Sequence, residues 1–364
     1  MNSSHGYLSI VNITHASNEK EAAIVPPSPD SFDFILRKYA YPIIIILGFL
    51  GNTISAFVFL HPQLRRYSCN IFLATRSLSD NGVLFSLLVA WLDFIYVRIF
   101  HVPVVCQLTV FLSYMCSFLS VWCIVCVTID NYIRMCYPSI VNLYCKSKYA
   151  FVILSIMITL SLGIYNIPLW TTHVTVIAGN YYCWPKQEHI ELLYILTYVD
   201  TALTFVFPLS AILICMSLLI CKAVRSHQRS TTNRERYSSR TWPSSTSHYL
   251  KVTKLLFAVS VTFLILHTPT HVIKLKSVIE AFAGNPQQLS GVVKTLNYVF
   301  QVMYCLNFAV NFIVYYTFGN NFRQIVANSF CSVSKCKIFY KKSRDSIPSA
   351  DTMSADILEQ DSML

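Results

Sequence analysis

Apolar residues along the chain gather into seven blocks, at roughly 40–60, 70–94, 104–135, 149–170, 192–221, 252–279 and 292–317. Each reaches about 20 residues or more, enough to cross about 30 Å of hydrocarbon at 1.5 Å per helical residue. Ten-residue stretches of strict apolar–polar alternation, which would signal a membrane β-barrel, do not occur. Helices then remain as the way to satisfy backbone hydrogen bonds inside a bilayer. The pattern predicts an all-α membrane protein, a seven-transmembrane helix bundle. Pro208 and Pro269 fall inside the fifth and sixth blocks, where each removes a backbone hydrogen bond and predicts a kink.

Composition agrees. Of 364 residues, 54% are hydrophobic and 12% charged, against about 25% charged in a soluble domain. Charge then sets orientation. Of 28 Lys and Arg residues, 19 follow blocks 1, 3, 5 and 7, 8 lie on the other side, and Arg76 lies within block 2. Positive residues collect in cytoplasmic loops, so the expected protein is multi-pass in the plasma membrane, N-terminus extracellular and C-terminus cytoplasmic. The net charge of +11 accordingly reads as topology and not as a nucleic-acid surface. Asn2 and Asn12 begin glycosylation acceptors on the outer side. No basic-then-apolar leader opens the chain, so the first span is expected to serve as signal anchor. Of 13 cysteines, Cys106 and Cys183 sit at or beyond the outer ends of spans. The others lie in the membrane or on the reducing side, so one bridge, Cys106–Cys183, is expected.

Short motifs recur along the spans in a fixed order. They are Gly51-Asn52, Asp80, Cys106, Asp130-Asn131-Tyr132 with Cys136-Tyr137-Pro138, Pro208, Phe263-x-x-Leu266-His267-Thr268-Pro269 and Asn311-Phe312-x-x-Tyr315, followed by Phe322-Arg323. Cys106 and Asp130 are 24 residues apart, about 36 Å of helix, which places them at opposite membrane faces. From about 40 to 325 the chain resembles the rhodopsin-like G-protein-coupled receptors. The resemblance implies a receptor for an extracellular ligand that activates a heterotrimeric G protein, and not an enzyme. It divides the chain into an extracellular N-terminus (1–38), the receptor domain (39–318), an amphipathic eighth helix (319–330) and a cytoplasmic tail (331–364).

The resemblance also implies roles. Asn52, Asp80, Ser120, Asn307, Asn311 and Tyr315 fall where the family keeps its activation network. Asp80, Ser120, Asn307 and Asn311 match its sodium site, so a sodium ion is the expected allosteric modulator; a plain interhelical hydrogen-bond cluster is the other reading. Asp130, Asn131, Tyr132 and Arg134 form the expected G-protein face. Here the family's Asp-Arg-Tyr has Asn131 in place of Arg, and Arg134, nearly one turn further on, is a candidate to compensate. His267 stands where the family has Trp, and is either a titrating group or, more ordinarily, a neutral core residue. The fourth span lacks the family's Trp, and Phe312 replaces a proline, a variant frequent in invertebrate receptors of the myosuppressin, sex-peptide and FMRFamide type.

Two ligand classes are excluded by single residues. Amine receptors place Asp where Ser113 stands, and opsins place a retinal-binding Lys where Cys305 stands. The expected pocket is lined by Tyr114, Asp200, His267, His271, Lys274, Gln301 and Tyr304, mostly apolar surroundings with a few placed polar groups. An extracellular peptide with a basic side chain is the expected ligand, met by Asp200 or by loop residues Glu188 or Glu191; internal pairing of Asp200 with His271 or Lys274 is the other reading. The alternative is a chemosensory receptor for a small non-peptide ligand. Residues 222–250 are polar and basic and are expected to be mostly disordered without a partner. Cys331 and Cys336 are candidates for palmitoylation. The serine-rich tail from Ser343 is a candidate arrestin site once phosphorylated. A transporter would show internal repeats and paired broken helices, and neither is seen.

Overall fold

A computed structural model describes residues 32–177, 180–234, 244–282 and 291–328. Asn2, Asn12, Cys331, Cys336 and the tail serines lie outside the described residues. Among the described residues five helices are long and apolar enough to cross a membrane: α1 (Leu36–Phe59), α3 (Pro103–Cys136), α4 (Ser147–Thr171), α5 (Ile190–Lys222) and, within the longer α6 (Ser244–Phe282), Lys254–Ile273. A bent pair, α7 (Gly291–Asn307) with α8 (Asn311–Phe318), makes a sixth span. The seventh, α2 (Ser68–Phe94), has 27 residues, about 40 Å of helix, and carries Arg76 and Asp80 inside it.

Position in the bundle follows from side-chain size and polarity. The helix α3 packs against α2, α4, α5 and α6 and is the central element. By contrast α4 turns one stripe inward, Ala150, Leu154, Met157, Ser161 and Tyr165, spaced as one face of a helix. Its other faces expose Phe151, Ile156 and Leu160, which suits lipid rather than water. The close pairing of α1 with α8 has a local cause at Gly51. A Cβ there would lie 2.8 Å from the Cβ of Phe312, so glycine makes room for the phenylalanine.

Several expectations are modified. The last apolar block is not one straight helix: α7 and α8 meet at 54° across Phe308–Val310. No proline causes this break. Instead Asn52 Nδ2 donates to the Phe308 carbonyl at 2.7 Å, and Asn311 Nδ2 donates to the Asn307 carbonyl at 3.0 Å, so freed carbonyls are satisfied by side chains. In α5 a wide helical turn, Ala202–Val206, precedes Pro208 and accommodates its missing donor. The loop after α4 forms an antiparallel hairpin, β1 (Thr172–Ile177) and β2 (Asn180–Pro185), with Val174 opposite Cys183. Within the inner basic segment helix continues to Arg234 and resumes at Ser244, and residues 235–243 lie outside the described residues. Residues 320–328 form a separate short helix, α9.

The outer end of α2 carries a measurable strain. Val97 N–H bonds to Leu92 O at 2.9 Å and Tyr96 N–H to Asp93 O at 3.0 Å, the paired bonds of a helix C-cap that places its pivot residue in the left-handed region. That residue is Tyr96, at φ 68°, where an L side chain costs about 1–2 kcal/mol. Tyr96→Gly relieves this at a smaller entropic penalty. It should stabilise the purified protein by about 0.5–1 kcal/mol and so raise its thermal midpoint; a lowered midpoint would show that the exposed ring makes a contact worth more than the strain.

Candidate functional site

The outer end of the bundle is pinned by the Cys106–Cys183 disulfide, with Cα atoms 5.7 Å apart. It is buried among Val89, Phe100 and Val110. Gln107 adds a bond from α3 to the Thr172 carbonyl at 3.1 Å. At the rim His101 Nε2 lies 2.9 Å from Asp93. Partial burial first, and the Arg98 charge second, hold the His101 pKa below its ordinary 6.5, so the ring is neutral at pH 7.

Beneath this rim the expected pocket residues come together in two groups. Asp200, on α5, accepts a hydrogen bond from the Tyr165 hydroxyl at 3.0 Å. Tyr165 stacks on Tyr114 with ring centroids 5.6 Å apart. On the other side an aromatic column runs from Phe205 through His271 and His267 to Phe263, with successive centroids 4.7, 4.4 and 4.5 Å apart. Tyr304 joins it 5.1 Å from His267 and shares a 3.0 Å hydrogen bond with Ser117 of α3. The two groups meet on α3, where Tyr114 belongs to the first and Ser117 holds Tyr304 of the second. Gln301 is buried; the Lys274 side chain lies outside the described residues. Glu188 and Glu191 are exposed. Sequence reasoning missed Tyr165, which ends the inward stripe of α4.

Deeper, the polar residues of α1, α2, α3 and α7–α8 converge on Asp80, which is fully buried. Ser120 donates to one carboxylate oxygen and Asn311 to the other at 2.6 Å. Arg76, one turn earlier on α2 and equally buried, places its Nε 3.7 Å from the same oxygen as Asn311. Each ionised group at this depth costs about 2.5–3.5 kcal/mol, and pairing offsets part of it. The Tyr315 ring is buried and meets Phe59 edge-on at 4.9 Å. Both amide atoms of Asn307 are buried with no hydrogen-bond partner among the described residues. Arg76 was not among the expected site residues, although a lone Arg four residues before Asp80 in an apolar block is visible in the chain.

At the inner end Asp130 and Arg134 pair at 2.7 Å, both nearly buried. Ser68 donates to the second Asp130 oxygen, and the Arg134 guanidinium lies 5.5 Å from the Tyr67 ring. Tyr67 in turn bridges to Lys146 ahead of α4. Asn131 is buried, and Tyr132 meets Tyr137 edge-on at 6.0 Å. Contact from α3 to α6 is made higher up, by Thr128 and Ser260 at 2.9 Å.

Two kinds of similarity bear on this arrangement, to a family and to individual proteins. The model of the family "7 transmembrane receptor (rhodopsin family)" matches residues 51–315. The rat protein "Somatostatin receptor type 4" is 22% identical over 330 residues, covering 88% of this chain and 79% of the relative. The human "G-protein coupled receptor 65" is 25% identical over 348 residues, covering 90% and 96%. The rat "Succinate receptor 1" is 24% identical over 302 residues, covering 80% and 90%.

Proposed function

Since the chain belongs to the rhodopsin family of seven-transmembrane receptors, we propose that it is a neuropeptide receptor whose agonist places a basic group against Asp200. The coarser statement, a G-protein-coupled receptor and multi-pass plasma-membrane protein, rests on the family and the apolar helices. One observation carries the finer reading: a buried carboxylate on α5, anchored by the Tyr165 hydroxyl at 3.0 Å. Low dielectric strengthens such a charge and makes a cationic partner the favoured occupant. Relatives named as somatostatin receptors support a peptide, and the Phe312 variant supports the invertebrate myosuppressin, sex-peptide and FMRFamide group. A small anion of the kind named by the succinate receptor relative would meet the Asp200 charge unfavourably.

In this reading the N-terminus and disulfide face outward, and the basic ends of α5 and α6 face the cytoplasm. Agonist binding favours a second conformation in which the inner part of α6 swings about Pro269 and the Thr128–Ser260 bond breaks. The cleft so opened receives the heterotrimeric G protein, and the phosphorylated tail then receives arrestin.

The test is a calcium and cAMP readout in cells expressing the chain, challenged with a library of amidated peptides. For any basic agonist found, Asp200→Asn removes one partner of a buried charge pair, a loss of about 2–5 kcal/mol. The half-maximal concentration should therefore rise about 30-fold or more. An unchanged dose–response would sink the contact, and silence across the library at confirmed surface expression would favour a small non-peptide ligand.

A further inference from the structure

The family resemblance implies a sodium ion held by Asp80, Ser120, Asn307 and Asn311, so the fit of these residues to that ion can be judged from their surroundings. A hard monovalent cation in a dry site needs several oxygen ligands and a local excess of negative charge. The oxygens are present, but the charge is already balanced. Arg76, on the same face of α2 as Asp80 and 1% exposed, sets its Nε 3.7 Å from the carboxylate. An arginine side chain is a fixed positive charge and not an exchangeable one. Asp80 also accepts from Ser120 and Asn311, so both carboxylate oxygens are engaged. The other buried carboxylate of α2 and α3, Asp130, is paired with Arg134 at the inner end and offers no second negative charge here. A sodium ion added beside Asp80 would therefore leave one uncompensated positive charge in the membrane interior, which is strongly unfavourable.

We propose that Arg76 is the resident cation of this site, that it occupies the electrostatic role of sodium, and that this receptor does not respond to sodium. The guanidinium does more than balance charge. It is also covalently attached to α2, so unlike sodium it does not exchange with solvent. An exchangeable ion can leave when the helices rearrange; Arg76 cannot, and its pairing must persist or be remade within the chain. The two unpartnered amide atoms of Asn307 fit the same scheme, because a neutral water can satisfy them without adding charge.

The test needs no agonist. Full-length receptor is purified in detergent, and its thermal unfolding is followed by a maleimide dye that reports exposure of buried thiols such as Cys116, Cys123 and Cys305. Sodium chloride is exchanged stepwise for choline chloride at constant ionic strength. A ion that binds only the folded state raises the midpoint in a saturable way. The natural chain should show no sodium-specific change. Arg76→Leu should acquire one, of about 3–5 °C at roughly 100-fold excess over Kd, and Arg76→Leu combined with Asp80→Asn should lose it again. A saturable sodium-specific rise in the natural chain would overturn the proposal, as would a folded Arg76→Leu protein that stays insensitive. Where Arg76→Leu does not fold, Arg76→Gln serves in its place, and the titration of the natural chain decides independently of either variant.

Discussion

Replacing Cys106 with Ser should remove most of the receptor from the cell surface and lower the thermal midpoint of whatever is recovered. The disulfide closes a loop of 77 residues, and the chain-entropy relation assigns such a crosslink about 4.5 kcal/mol. That is comparable to much of a typical domain's stability. The hydrogen bond from Gln107 to the Thr172 carbonyl, worth about 1 kcal/mol, and the packing of Val174 near Val110 also tie α3 to the hairpin, but neither crosslinks the unfolded chain. Cys183→Ser should match Cys106→Ser, and the double variant should be no worse than either, because both single changes delete one bond. Surface labelling and the midpoint with and without reductant measure this. A full additive loss in the double variant would mean that the cysteines act as packing residues and not as a crosslink.

The sequence made some of this legible for simple physical reasons. Apolar block length reports a membrane crossing directly, and the bridge from Cys106 to Cys183 follows once the two faces of the membrane are assigned. Tyr165 was hidden because a helix in lipid is apolar on every side. The inward stripe of α4, from Ala150 to Tyr165, therefore leaves no hydrophobic period to read. The break between α7 and α8 was hidden because its cause is tertiary. Asn52, some 256 residues away in sequence, satisfies the Phe308 carbonyl, and Phe312 gives no local hint of a bend. The hairpin of β1 and β2 is a different case: Val174, Thr175 and Val176 followed by Gly179-Asn180 form a readable strand and turn, passed over beside longer apolar blocks. Arg76 was also legible. It was counted as a charge within the second block but not connected to Asp80, four residues on, where an i, i+4 pair is expected on one helix face.

The substitution of Asn131 for the family's Arg makes the inner end of α3 the place where sequence and structure bear most directly on signalling. The cation is supplied by Arg134, on the same helix face as Asp130, and its surroundings show what it holds. The pair is packed against Ser68 and Tyr67 at the start of α2, and Tyr67 bridges to Lys146 ahead of α4. Among the described residues, the hydrogen bond from α3 to α6, the helix proposed to swing, comes from Thr128 and Ser260, while the pair's contacts lie at the start of α2. The Asp130–Arg134 unit thus anchors α3 to the static side of the bundle. Arg134→Met would strand a buried carboxylate and should destabilise the receptor by about 3–5 kcal/mol. Combining it with Asp130→Asn removes both charges and should restore most of the loss, since replacing a buried pair by groups of similar volume is often close to neutral. Basal cAMP or calcium signalling, normalised to surface receptor, should stay unchanged in the double variant and rise on Ser260→Ala, which releases α6. A rise in basal signalling for Arg134→Met at an undiminished midpoint would make the pair a gate on α6, and the anchoring role would have to be given up.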